Sequence, residues 1–406
     1  MTHTPTLSLP ECRAATSAPA RLPRSLGGVL ALDDFEALAR QRLPRPIFGY
    51  VAGAAEDNAS LRDNRAAFGD YGFKTRVLVD VSQRNQSVEL FGRRYAAPFG
   101  VAPMGISALS AYRGDIVLAR AGQAANIPAI LSGTSLIPLE EVIEQAPGTW
   151  FQAYLPGDPA RIDALVQRVA RAGVETLVLT VDIPVSANRE NNVRNGFSTP
   201  LRPSLALAYQ GLTHPRWLLG VLLRTLLKHG MPHFENSFAT RGAPIISASV
   251  LRDFSARDHL SWPHFDRIRR QWKGALIIKG ILSAEDARQA RLHGADGIIV
   301  SNHGGRQLDG AVSPLRVLPD IVDVAQDMTV MMDSGVRRGS DVLKALALGA
   351  RCVFVGRPFN YAAAVAGEAG VAHACRLLYD EVDRNMAMLG VNNCSELHAG
   401  LLHRKA

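Results

Sequence analysis

From about residue 98 onward, short apolar runs of strand length recur along the chain, at 99–103, 127–131, 150–154, 176–181, 275–278, 297–300, 329–332 and 352–355. Between most of them the apolar positions repeat with helical spacing, over 115–126, 160–172, 284–293, 315–326 and 341–348. Strands alternating with helices predict a parallel sheet, and eight is the number that closes a barrel. The predicted fold class is therefore α/β, a (β/α)8 TIM barrel. An open doubly wound sheet is disfavoured because no GxGxxG follows the first run. Ahead of the barrel, 32–43 and 60–68 read as helices. Residues 87–95 read as a hairpin turning at Gly92, placed to cap the barrel floor. Behind the last run, 361–389 predicts one broken helix or two in succession.

One interval breaks the rhythm, since roughly 90 residues separate the fourth run from the fifth, too many for an ordinary loop. N-terminal helices and a long insertion after the fourth strand, spanning 190–262, are thus part of the expected architecture. The centre of the insertion, WLLGVLLRTLLK from Trp217, is apolar at most positions, with Arg216, Arg224, Lys228 and His229 alongside. Two readings compete: an amphipathic segment lying on an anionic membrane, with Trp217 at the interface, or a helix packed on the barrel or on another subunit. The division expected is a disordered tail at 1–29, a catalytic domain at 30–395 and a C-terminal tail at 396–406. Pro5, Pro10, Pro19 and Pro23 interrupt any amphipathic helix in the first tail. That tail also lacks the apolar block of a secretory signal, although a transit peptide is an alternative.

Composition narrows the partners. The formal charge of +8 favours anions such as phosphate, carboxylates or an acidic membrane surface. No nucleic-acid motif appears, and no basic run is interleaved with aromatics. The four cysteines contain no CxxC pair, which argues for a reducing compartment and against a thiolate metal site. With no HxH or HExxH either, no metal is expected. No apolar run reaches the roughly 18 residues of a spanning helix. The expected location is cytoplasmic, with peripheral contact on the inner face of the cell membrane if the insertion binds it.

Barrel enzymes work at the carboxyl ends of their strands. Those ends carry Met104-Gly105, Ser132, Gln152 with Tyr154, Thr180 with Asp182, Lys279, His303, Asp333 and Gly356-Arg357. The most informative stretch is GIIVSNHGGRQLD, Gly297 to Asp309, where a buried strand opens on an imidazole with a guanidinium just beyond it. A base beside a carboxylate-binding cation is what oxidation of a 2-hydroxy acid requires. The ends of strands seven and eight, with Ser334, Gly335, Arg337, Gly356 and Arg357, suit a terminal phosphate. Asp333 is then expected to be free for the hydroxyls of a cofactor tail.

These motifs, with LSGTS, FQAYL, LTVDIP, DSGVRRGSDVLKALALGA and VFVGRP in order over about 31–395, closely resemble the FMN-dependent 2-hydroxy-acid dehydrogenase and oxidase family. That family includes glycolate oxidase, lactate oxidase, flavocytochrome b2 and the bacterial L-lactate and mandelate dehydrogenases. DSG in place of the oxidases' DGG, and the THPRW-containing insert, look most like the membrane-associated bacterial dehydrogenases. The resemblance implies FMN as cofactor, His303 as base and Asp182 as the carboxylate orienting it. It implies that Arg189 and Arg306 clamp the substrate carboxylate, with Tyr50 and Tyr154 bonding the substrate and Lys279 stabilising the reduced flavin. Pro103, Met104, Gly105, Ser132, Gln152, Tyr154, Thr180 and Ser301 are expected along the flavin and its ribityl chain, and Asp333, Ser334, Gly335, Arg337, Gly356 and Arg357 along its tail. Gly105 and Thr134 replace bulkier residues of some oxidases, which implies room for more than glycolate.

The activity expected is oxidation of an L-2-hydroxy acid, L-lactate first and mandelate or longer chains next, with electrons passed to a quinone or another respiratory carrier. The resemblance also implies a homo-oligomer, a tetramer. Two rivals stand beside it: the same oxidation with O2 as acceptor, making H2O2, and a barrel that binds a phosphorylated ligand without redox chemistry.

Overall fold

All eight apolar runs become neighbours in one parallel sheet. In the computed structural model, which describes residues 23–405 other than 156, 199, 202–203 and 248–256, the strands are β1 (Phe99–Val101), β2 (Ile130–Ser132), β3 (Trp150–Ala153), β4 (Thr176–Thr180), β5 (Ala275–Ile281), β6 (Gly297–Val300), β7 (Thr329–Asp333) and β8 (Cys352–Val355). Their order is β1-β8-β7-β6-β5-β4-β3-β2. The ring closes where Val101 bridges Ala129 in parallel and its amide donates to the Pro128 carbonyl. The fold is a (β/α)8 barrel.

Side chains alternate along every strand because the strand period is two. Ile130, Trp150, Val178, Ile277, Ile299, Met331 and Phe354 point inward and pack on one another. Phe151, Leu177, Leu179, Ile278, Ile298 and Val353 point outward against the helices. Those helices include α1 (Gly114–Ala124), α2 (Leu139–Gln145), α3 (Pro159–Arg171), α4 (Trp262–Gln271), α5 (Ala284–Leu292), α6 (Pro314–Ala325), α7 (Gly339–Ala347) and α8 (Arg357–Leu389). Helix α8 is broken at Ala366 and Gly367, where the backbone leaves helical geometry, so the two-helix reading of 361–389 holds.

The hairpin Val88–Leu90 with Arg93–Tyr95 pairs antiparallel and turns through Phe91 and Gly92, both at positive φ. Val88, Leu90 and Tyr95 join the inward-facing barrel residues in one apolar cluster, so the hairpin plugs the floor. Trp150 donates through Nε1 to the Tyr95 hydroxyl at 3.1 Å, satisfying both buried polar groups.

Several elements differ from expectation. Arg45–Ala52 is a helix hidden from pattern reading by Pro46, Gly49 and Gly53. Residues 1–22 of the expected N-terminal tail lie outside the described residues, whereas Arg24–Leu26 forms a 3-10 turn with Leu26 buried. At the other end, within the expected tail 396–406, Leu402–Arg404 pairs with Tyr71–Phe73.

In the insertion, Leu205–Thr213 and a helical run through Pro215–Trp217, Leu218–Leu223 and Arg224–His229 cross the surface. Trp217 corrects the membrane-interface expectation for that residue. It is buried and donates through Nε1 to the Leu109 carbonyl at 2.7 Å, because an indole can bury its ring fully when its one N–H finds a carbonyl. Leu205, Leu212, Leu219 and Leu227 remain exposed, at 91, 71, 63 and 86%.

Replacing Leu90 by Ala empties part of the floor plug. The expected loss is about 2–5 kcal/mol of folding stability, read as a lower urea midpoint at unchanged m-value.

Candidate active site

At the carboxyl ends of the strands a cavity of about 800 Å3 opens. It is lined by Tyr50, Pro103, Met104, Gly105, Tyr154 and Thr180, by Arg189, Lys279, His303, Arg306 and Asp333, and by Ser334, Gly335, Arg337, Gly356 and Arg357. Ser132, Ser301 and Asp182 contact this lining from behind it, and Gln152 accepts from Ser132. Groups distant in sequence thus converge, as the strand-end reading predicts.

His303 follows β6 with φ of 59°, a left-handed conformation uncommon outside glycine. Its amide donates to Ser301 Oγ at 3.0 Å. Its Nδ1 lies 2.8 Å from Asp182 Oδ1, and its Nε2 lies 3.4 Å from the Tyr154 hydroxyl. Burial pushes the imidazole below its ordinary value of 6.5, against the opposing pull of Asp182. Burial would raise the Asp182 carboxyl, yet His303 and Lys279 outweigh it and hold Asp182 below 3.8. The pair therefore rests as carboxylate and neutral imidazole, with Nδ1–H donating to Asp182 and the Nε2 lone pair facing the cavity. Tyr154 is pushed well above 10.0 by burial first and Asp182 second, so its hydroxyl stays a proton donor.

The approach of Asp182 depends on β5. That strand runs three residues past its predicted end through an irregularity between Lys279 and Ile281. At its centre Gly280 has φ of 109°, and a Cβ there would lie 2.7 Å from that of Asp182. Bulges of this kind re-aim side chains beside active sites. Lys279, the last residue in regular register before the irregularity, faces inward by the same alternation as Ile277, and its Nζ reaches Ser301 Oγ at 2.7 Å and Asp333 Oδ2 at 2.9 Å. Asp333 is therefore already paired, with lone pairs left for further donors. Its other oxygen accepts from Ser334 Oγ at 2.8 Å.

The cations form a ring. Arg189 donates through Nε to the Arg306 carbonyl at 3.0 Å and through Nη2 to Gln307 Oε1 at 2.9 Å. Arg306 donates from Nη1 to the Tyr50 and Gly53 carbonyls at 2.8 and 2.7 Å. Arg357 donates to the Val51, Gly53 and Gly304 carbonyls. Three of these carbonyls end the helix Arg45–Ala52, whose C-terminus carries partial negative charge. Even so, burial and Arg189 bring Arg306 down to about 10. Burial and Arg306 bring Arg357 down to about 9. Burial followed by Arg65 lowers Arg337, whose Nε is 3.2 Å from Asp33. A buried anion at the ends of β7 and β8 would relieve this mutual repulsion.

Two buried atoms of the barrel mouth, Gln152 Nε2 and Thr180 Oγ1, have no partner. A donor and a hydroxyl left unpaired at this depth suit a flat heterocycle edged with amide groups, such as the ring of FMN, with its phosphate toward Arg337 and Arg357. The residues present fit that cofactor. Two features escaped sequence reading. Leu201, Phe234 and Ile245 of the insertion line the cavity, and so does Arg257, whose guanidinium lies 5.0 Å over the Tyr154 ring. No strand-end spacing marks these positions.

Comparison with known proteins bears on this geometry. A family profile described as "FMN-dependent dehydrogenase" matches residues 39–404. An L-lactate dehydrogenase of Azorhizobium caulinodans is 41% identical over 370 residues, covering 90% of this chain and 96% of that protein. The (S)-mandelate dehydrogenase of Pseudomonas putida is 37% identical over 375 residues, covering 92 and 94%. The crystal structure described as monotopic membrane protein (S)-mandelate dehydrogenase superposes with a TM-score of 0.85 at 36% identity, covering 93% of this chain and 100% of that one.

Lys279→Met would leave Asp333 a buried, unpaired carboxylate. The expected cost is about 3–5 kcal/mol, read as a lower melting temperature together with a reduced ratio of flavin to protein absorbance after purification.

Proposed function

The chain belongs to the FMN-dependent dehydrogenase family, and from that premise we propose that it oxidises L-2-hydroxy acids with apolar side chains, lactate the smallest of them, and passes the electrons to a membrane quinone. The observation that carries the reading is a neutral, carboxylate-oriented imidazole facing the same cavity as Arg189. Bound FMN supplies the two-electron acceptor for the substrate carbon.

The roles of the chain's own groups follow from their positions. His303 Nε2 takes the proton that the hydroxy acid gives up on becoming a 2-oxo acid. Asp182 stabilises the resulting imidazolium, since charge on the ring strengthens the 2.8 Å contact. A base so placed contributes roughly 10²–10⁴-fold. Arg189 and Arg306 hold the substrate carboxylate, at about 1.5–3 kcal/mol per charge-assisted bond. Tyr154 and Tyr50 donate to the substrate's oxygens. The side-chain end of the cavity is walled by Ile106, Leu109, Phe197, Leu201, Phe234 and Ile245, which favours apolar groups larger than methyl. The names of the relatives, L-lactate and (S)-mandelate dehydrogenase, support both the hand and the range.

The quinone and the membrane contact rest on the insertion. Leu205, Leu212, Leu219 and Leu227 are mostly exposed, and a structural neighbour is described as monotopic. Among the described residues no helix is long and apolar enough to cross a membrane, so contact would be peripheral.

The deciding experiment is anaerobic bleaching of the purified flavoprotein with L-2-hydroxy acids of increasing side-chain size, followed by reoxidation with a quinone analogue or with O2. Absence of bleaching by any of them would sink the proposal, and peroxide formation as the faster reoxidation would replace the quinone by oxygen. His303→Gln should keep its yellow colour and lose roughly 10²–10⁴-fold in flavin reduction. Because burial lowers His303, the base is neutral at neutral pH and kcat/KM should fall only as pH drops through a value below 6.5. Asp182→Asn removes the group opposing burial, so that acid limb should move lower still.

A triple change of Leu212, Leu219 and Leu227 to Asp is expected to leave the melting temperature unchanged and to abolish co-sedimentation with anionic phospholipid vesicles. Undiminished co-sedimentation would rule out this face as the contact.

A further inference from the structure

Two of the groups proposed to bind the substrate, Tyr50 and Arg189, come from different parts of the chain. Tyr50 belongs to the helix Arg45–Ala52, and Arg189 directly precedes the short helix Glu190–Arg194. These helices meet without side chains between them on one side. A Cβ at Gly49 would lie 2.6 Å from the Cβ and Cγ of Asn195, and one at Gly53 would lie 3.0 Å from the Cβ of Asn191. Glycine inside a helix runs against local preference, and the close approach of the second helix accounts for it.

Both asparagines are spent on the seam. Asn195 Oδ1 accepts from Arg45 Nε at 3.1 Å, while its Nδ2 donates to the Asn191 carbonyl at 2.6 Å. Asn191 Nδ2 donates to the Ala54 carbonyl at 3.1 Å and to Asn58 Oδ1 at 3.0 Å. Arg45 Nη2 donates to the Arg194 carbonyl at 3.0 Å, and the Glu56 amide donates to the Asn188 carbonyl at 3.0 Å. The Tyr50 ring packs on Phe197 at 4.6 Å between centroids. Bonds thus brace the Arg189 segment on both sides of that residue, and the side chains that make them, Arg45, Asn58, Asn191 and Asn195, lie outside the cavity lining.

We infer that Asn191 and Asn195, seated on Gly49 and Gly53, are positioning residues that fix the separation of Arg189 from Tyr50 and thereby the fit of the substrate carboxylate. The inference rests on the functional reading above. A seam of this kind acts on ground-state binding: loosening it weakens the hold on the carboxylate and leaves His303, Asp182 and the phosphate end of the cavity undisturbed.

The test uses the FMN-loaded protein titrated with pyruvate and with phenylglyoxylate, followed by the flavin difference spectrum, alongside steady-state kinetics. Gly49→Ala is expected to weaken 2-oxo acid binding and raise KM by about tenfold, the equivalent of one charge-assisted bond lost. The dissociation constant of FMN and kcat should stay within about twofold, the pattern of lost uniform binding. The double variant Gly49→Ala/Asn195→Gly removes the collision, so its KM should match that of Asn195→Gly alone, a non-additive result. Asn191→Ala adds no clash and should raise KM in the same direction, which keeps the test open if Gly49→Ala fails to fold. Variants that bind both acids like the wild type, a defect confined to kcat or to FMN retention, or strict additivity in the double variant would each overturn the inference. A wild-type flavoprotein that binds neither acid would instead overturn the functional reading on which it stands.

Discussion

A neutral imidazole held against an ionised carboxylate, both out of water, is the constraint around which the rest of this mouth is built. Burial disfavours charge on either group. Asp182 remains ionised because His303 and Lys279 are close, and it can come that close because Gly280, at the irregularity of β5, puts no Cβ in its way. Lys279 also gives Asp333 its partner and Ser301 a donor. Ser301 in turn receives the His303 amide and supports its left-handed backbone. Two neighbouring residues of one strand, Lys279 by its charge and Gly280 by its missing side chain, therefore bear on the base, its carboxylate and the ion pair with Asp333.

Positive charge is the second constraint. Arg306, Arg337 and Arg357 are all lowered by burial, and like charges enclosed together raise the free energy of the folded chain. The structure offsets this with carbonyl oxygens rather than with carboxylates at Arg306 and Arg357, by ending a short helix between them. Carbonyls leave the net charge of the cavity positive, so it still attracts a phosphate at one end and a carboxylate at the other. A carboxylate in the same place would cancel the field the ligands need. At Arg337, farther from the proposed reacting atoms, Asp33 serves instead.

How much of this was legible in the sequence follows from which interactions are local. The strands could be read because a barrel core imposes a dense apolar period, and their ends pointed at His303, Asp182, Lys279 and Arg357 because strand ends must face one mouth, whereas Arg189 and Tyr50, away from strand ends, came only with the family resemblance. The pairing of Asp333 with Lys279 was not read because the two lie two strands apart, and no spacing along a chain encodes a pairing made across a barrel mouth. The helix Arg45–Ala52 was missed because Pro46 and two glycines mask it, and those glycines answer to a tertiary contact with Asn191 and Asn195. Of the two readings left open for the insertion, Trp217 follows the one in which the segment packs on the barrel, since the Leu109 carbonyl draws it inward.

That last correction changes what the insertion does. Trp217 ties the surface run to the segment after β1, which also supplies Ile106 and Leu109 to the cavity wall. The same run is tied a second time where Arg224 lies over the Tyr112 ring at 3.8 Å and the Tyr112 hydroxyl meets His229 at 2.9 Å. Leu201, Phe234 and Ile245 flank this run in sequence and face the cavity. The insertion is therefore wall as well as surface: its inward residues complete the apolar end of the cavity while its leucines face out. Any partner that covers those leucines sits on a run that Trp217 ties to Leu109, a residue of the cavity wall.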